Sequence, residues 1–339
     1  MKQPRLFVLI ALAVVTAGAG DAPVAAARSA DTKPAHASRR TNARTGRLSP
    51  ALVELLKVAK RGDRAALGRL ADRIGPARLA QAIASPQPGV AEAALAAAPL
   101  ARGGVLLVGA AADQLGAREP SRVIAAATAL ASLLDGAVPA ELEEWDVAPD
   151  VVARACWGLH WIAGKSDATL PVRLAALDAV AAAAPSCGGA ADLAPLARDP
   201  SPALRRAAAL VATMEVAGAG ATGGAPMPVA QREALLRDAI ADGDRGVSAA
   251  GTAAACRVEG RPAGKGGKPE APMPQAVASA RALAGAAGTS PEDAVEMLDC
   301  VAAAATPADR AMLDDLQRRP PSPLRDRAME LGDLQRGKP

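Results

Sequence analysis

The sequence predicts an all-α protein, an α-solenoid of stacked antiparallel helical hairpins, and three observations predict it. First, 50% of the 339 residues are hydrophobic but only 1% are aromatic: there is no tyrosine, three tryptophans and a single phenylalanine, Phe7. Alanine fills the deficit, and alanine is the best helix former, whereas sheets draw on aromatic and β-branched side chains. Second, apolar segments of helical length, about 10 to 17 residues, alternate with Gly, Pro and Asp punctuation. Four of them open on a hydroxyl residue before a proline, at Ser49-Pro50, Ser201-Pro202, Ser290-Pro291 and Thr306-Pro307. That pair suits the N-cap and first turn of a helix. Asp293 and Asp309 stand three residues after Ser290 and Thr306, as in a capping box. Third, one unit recurs along the chain, as set out below.

In chain order, residues 1–27 have the anatomy of a secretory signal: Lys2 and Arg5, an apolar run from Leu6 to Val15, then small residues with cleavage expected after Ala19 or Ala27. The run falls short of the roughly 20 residues of a membrane span, so no transmembrane segment is expected after cleavage. Residues 28–48 read as a basic linker, with six basic residues against Asp31. Of the chain's net charge of +4, +1 falls in residues 1–27 and +5 in 28–48, so residues 49–339 carry −2. The basic balance therefore belongs to the linker, which can meet an anionic surface by charge alone but reads no nucleic-acid sequence. Helical repeats are expected over 49–217 and 229–339. A Gly- and Pro-rich linker at 218–228 separates them, and a flexible loop at 259–274 interrupts the second set.

The recurring unit is clearest in two places. Ser85-Pro86-Gln87-Pro88-Gly89-Val90-Ala91-Glu92-Ala93-Ala94 matches Asp199-Pro200-Ser201-Pro202-Ala203-Leu204-Arg205-Arg206-Ala207-Ala208 in both prolines, the large apolar residue and the alanine pair. Val172-Arg173-Leu174-Ala175-Ala176 repeats its second half 32 residues before Leu204, with echoes at Val123, Val247 and Pro321. A fixed period of one helical hairpin marks an array in which no unit buries its apolar face alone. On the Asp199–Pro202 turn, Leu204-Arg205 with Ala207-Ala208, and Val172-Arg173 with Ala175-Ala176, the chain resembles the HEAT-like helical repeat family in its short bacterial form. The resemblance implies that the apolar and small residues face the stack and that Asp and Arg form rungs between repeats, around residues 172 and 204. The units near 90, 123 and 247 lack the arginine.

Four cysteines, Cys156, Cys187, Cys256 and Cys300, allow three pairings. In an exported chain disulfides are expected, and neighbours in a stacked array are sequence neighbours, which favours Cys156 with Cys187 and Cys256 with Cys300. The rival reading has Cys156 and His160, four apart on a helix, joined by Cys187 and a carboxylate around zinc.

Catalytic patterns are weak. Gly218, Gly220 and Gly223 spell GxGxxG but follow a helical run instead of a strand. Ser248 lies between glycines spaced one residue too far apart for a nucleophile elbow. His36 and His160 are the only histidines. Arg61-Gly62-Asp63 reads as turn chemistry between two helices. No cofactor is expected. The candidate partner site is Arg154, Trp157, His160 and Trp161. Val152, Cys156, Leu159 and Ala163 share one helical face, and Trp157, His160, Trp161 and Gly164 an adjacent one. Tryptophan and arginine concentrate at binding hot spots, while the competing reading makes the tryptophans bulky filler for an alanine core. Together these readings predict an exported, periplasmic or extracellular, non-enzymatic scaffold that binds a protein partner. The alternatives are a structural envelope protein held by its basic stretch and an enzyme accessory of the HEAT-like lyase type.

Overall fold

In the computed structural model, residues 48–87, 89–187, 190–212, 228–259, 274–286, 289–303 and 307–335 are described. The expected signal, nearly all of the basic linker, His36, Thr306, the GxGxxG glycines and the interiors of the loops at 218–228 and 259–274 lie outside these residues. Every regular element within them is helical. The first nine helices are α1 (Pro50–Arg61), α2 (Arg64–Ile74), α3 (Pro76–Ile83), α4 (Val90–Ala97), α5 (Val108–Asp113), α6 (Pro120–Leu133), α7 (Pro139–Glu144), α8 (Pro149–Gly164) and α9 (Leu170–Ala182). The rest are α10 (Ala184–Cys187), α11 (Pro202–Val211), α12 (Val229–Ile240), α13 (Arg245–Glu259), α14 (Pro274–Leu283), α15 (Pro291–Ala303), α16 (Pro307–Gln317) and α17 (Pro323–Gln335). A 3-10 stretch, Ala190–Arg198, stands before α11.

Proline punctuation sets many of these starts, because proline costs nothing where the amide has no helical partner. Ser49 Oγ accepts from the Leu52 amide at 3.4 Å, and Ser290 Oγ from the Asp293 amide at 3.1 Å. The Arg61-Gly62-Asp63 turn works as expected. Gly62 closes α1 at a φ of 70°, and Asp63 opens α2 by accepting from the Ala66 amide at 2.9 Å.

From α4 onward, contacts between the longer helices follow two series, or rows. In one, α4 meets α6, α6 meets α9, α9 meets α11, α11 meets α13, α13 meets α15 and α15 meets α17. In the other, α5 meets α8, α8 meets the 190–198 stretch, that stretch meets α12, and α12 meets α14. Sequence neighbours such as α8 and α9, or α12 and α13, pair between the rows. Leucines and valines of the recurring unit, including Val90, Val172 and Leu204, are buried together with Ala94, Ala176 and Ala208. Small side chains let the backbones close in: a Cβ added at Gly251 of α13 would lie 2.6 Å from Ala239 Cβ and 3.0 Å from backbone atoms of α12.

Ion pairs tie successive units. Arg173 reaches Asp199 at 2.8 Å and also donates to the Ala163 carbonyl at 3.0 Å. Arg205 grips Asp242 with two nitrogens, at 2.7 and 2.9 Å, and donates to the Asp199 carbonyl. Arg281 holds Asp309 in the same bidentate way, at 2.7 and 3.0 Å. Arg206 pairs with Asp293 at 3.2 Å. Asp293 and Asp309, which the sequence assigned to helix caps, thus serve contacts between distant helices. The unit near 123 gains a link after all. Arg122, two positions before the place that arginine takes in the other units, donates to the Ser85 carbonyl at 3.0 Å.

Cys156 of α8 bonds Cys187 of α10, with Cα atoms 5.2 Å apart, and Cys256 of α13 bonds Cys300 of α15, with Cα atoms 5.0 Å apart. This is the pairing that stacked neighbours predict. It also removes the zinc reading, since Cys156 and Cys187 spend their sulfurs on each other.

Candidate functional site

The face of interest is built by α8. Pro149 fixes its first turn, and Asp150 places a negative charge at the positive end of the helix dipole. Val152, Ala155, Cys156, Leu159, Ile162 and Ala163 are buried, and the same register leaves Arg154, Trp157 and Trp161 exposed. Gly158 permits a close approach from Leu115, whose Cδ1 would lie 2.8 Å from an added Cβ. Beside it the two tryptophans face solvent: Trp157 is 69% and Trp161 49% exposed. They are therefore not filler for the alanine core. Tryptophans four residues apart on a helix meet one turn above the other. Here their rings lie 6.3 Å apart between centroids and within 13° of parallel.

Arg154, one turn before Trp157, pairs with Asp113 of α5 at 3.5 Å. His160 lies beside the pair, partly buried. Two features went unread in the sequence. Lys165 lies over the Trp161 ring with Nζ 4.7 Å from its centroid, inside cation–π range, and its ammonium is also 3.8 Å from Asp167. The spacing of four residues from Trp161 to Lys165 was the available signal. The second is Trp145 at the end of α7, 47% exposed, which leaves all three tryptophans of the chain at the surface.

The remaining candidates serve structure. Ser248 donates to the Ile240 carbonyl at 2.8 Å. The four cysteines are disulfide-bonded. Glu141 closes back on the Val138 amide at the start of α7, while Glu143, Glu144, Asp146 and Asp150 stand exposed. Among the described residues no group of three or more His, Cys, Asp or Glu side chains is placed to hold a metal ion.

No family model matches the chain, and no curated protein matches it. Among solved structures it is similar to that of human deoxyhypusine hydroxylase in complex with glycerol, at 15% identity and a TM-score of 0.31 over 85% of this chain and 96% of that one. That protein is an enzyme, against the expectation of a non-enzymatic chain, and that expectation is withdrawn. The exported non-enzymatic scaffold is withdrawn with it, while at this similarity the likeness assigns no activity. What stands is an all-helical chain with two disulfides. Among the described residues no helix is long and apolar enough to cross a membrane, which is compatible with export.

Proposed function

We propose that this chain is a recognition protein of an oxidising compartment, built as a HEAT-like α-solenoid, that holds its ligand on the Trp157–Trp161 face of α8. The exposed, near-parallel tryptophan pair carries this reading. Fully burying a large apolar side chain yields about 1.5–3 kcal/mol, and tryptophan covers more area than most. A chain that fills its core with alanine and places its three tryptophans at the surface holds that gain in reserve for a ligand. The two disulfides favour an oxidising compartment, and the Asp–Arg rungs with two rows of stacked helices favour the solenoid. Recognition of this kind serves a substrate as well as a binding partner.

The test is the double variant Trp157→Ala/Trp161→Ala, offered a panel of soluble probes: a neutral oligosaccharide, an oligodeoxynucleotide, and cationic and anionic peptides. The reading expects one probe class to bind the unaltered chain and to lose about tenfold or more in affinity on the variant, as at a hot spot, with circular dichroism unchanged. Equal binding by both proteins, or collapse of the helical signal in the variant, contradicts it.

A further inference from the structure

We infer that the ligand of this face is a cationic polypeptide segment, rich in arginine or lysine. The inference rests on the recognition reading above and gives it a chemistry. Trp161 already holds a cation, the Lys165 ammonium, 4.7 Å from its ring centroid. Among the described residues Trp157 carries none, although it is the more exposed ring of a near-parallel pair. One cation–π place is filled from within the chain, and the place beside it is open to a cation from outside.

Charge points the same way. Between Asp135 and Leu170, the span that holds every tryptophan of the chain, seven acids stand against Arg154 and Lys165. Both bases are already matched, Arg154 by Asp113 at 3.5 Å and Lys165 by Asp167 at 3.8 Å. The segment that carries the tryptophans is therefore net negative, which disfavours nucleic acid and favours basic chains. Geometry turns this into a track. Asp150, Arg154, Trp157 and Trp161 recur at helical spacing along one exposed face of α8. From Asp150 to Trp161 the helix rises about 16 Å, the reach of about five residues of extended peptide. A basic side chain then meets a carboxylate at one end and an aromatic face at the other.

The experiment titrates the full chain with an acetylated, amidated hexa-arginine peptide, reading tryptophan fluorescence at low and high salt. Hexaglutamate, a neutral hexasaccharide and a hexathymidine serve as comparison probes. Binding of hexa-arginine is expected, weakening severalfold as salt rises. Trp157→Ala should weaken it about tenfold. Asp150→Asn should weaken it about 2–5-fold, while Lys165→Gln, by vacating Trp161 and removing a positive charge, should tighten it about 2–5-fold. A neutral sugar or oligonucleotide that binds in place of hexa-arginine, and is lost on Trp157→Ala, overturns the cationic ligand but leaves recognition at this face standing. Hexa-arginine binding that Trp157→Ala leaves unchanged, or no binding by any probe, overturns both.

Discussion

Arg205 and Asp242 show how single residues tie one unit to the next. Their side chains are 18% and 14% exposed, and two hydrogen bonds join them in the planar geometry that guanidinium and carboxylate share. The hydrogen bond from Arg205 holds the Asp242 carboxyl below its ordinary 3.8. A carboxyl that releases its proton more readily when folded stabilises the fold above its unfolded value, and the contribution drains away as pH falls through the folded one. Asp242→Asn should therefore lower Tm by about 2–4 °C at pH 7. The gap to the unaltered chain should close as pH drops below about 4, a trend that thermal unfolding across a pH series checks. The same scale explains why the role of Arg205 was readable. It sits beside Leu204 in the recurring unit, and the family resemblance supplies the acid. Arg206 with Asp293, 87 residues apart, was not readable, because the pair forms only once α11 and α15 have both packed against α13. Asp293 also stands three residues after a capping serine, where a local role is the natural reading.

At the scale of elements, α12 and α13 are in tight contact at Gly251. Glycine inside a helix costs about 0.5–1 kcal/mol relative to alanine, so Gly251→Ala gains on propensity. It loses more on packing, since the added carbon would sit 3.0 Å from the Ala239 carbonyl carbon and the Ile240 amide nitrogen, backbone atoms with no rotamer to change. Overpacking costs about 1–3 kcal/mol. Gly251→Ala should thus destabilise in chemical denaturation. Gly164→Ala, at the exposed end of α8 with nothing within 4 Å, should stabilise by a few tenths to about 1 kcal/mol. The disulfides act on the same scale by joining elements 31 and 44 residues apart. Each should contribute about 2–4 kcal/mol, so reduction by dithiothreitol should lower Tm by many degrees without changing the helical pattern at low temperature. The helix starts and the cysteine pairing were legible because proline and stacking order are local rules. The closeness at Gly251 was not, because a glycine within an alanine-rich helix carries no mark of what faces it.

Across the whole molecule, two rows of helices bury leucine, valine and alanine and leave Trp145, Trp157 and Trp161 outside. The helical class was legible from composition, and the two adjacent faces of α8 were legible from a 3.6-residue period. Whether the tryptophans filled the core was not legible, because periodicity places two adjacent faces without saying which one a neighbouring helix covers. Lys165 was signalled by its spacing of four residues from Trp161, but it caps the end of α8, where a helical neighbour is easily overlooked. The absence of catalysis was inferred from missing residue types, and missing residue types do not exclude catalysis. A shortage of histidine limits which chemistry is open to a chain, and it limits recognition far less.

The most direct measurement of the central claim is collisional quenching of tryptophan fluorescence by acrylamide, with the full chain alone and then saturated with hexa-arginine. Three exposed tryptophans predict steep quenching in the free chain, about half of it abolished when a ligand covers Trp157 and Trp161, and no protection in Trp157→Ala/Trp161→Ala. Shallow quenching of the free chain, as for core tryptophans, or undiminished quenching with every probe bound, would contradict a recognition face on α8.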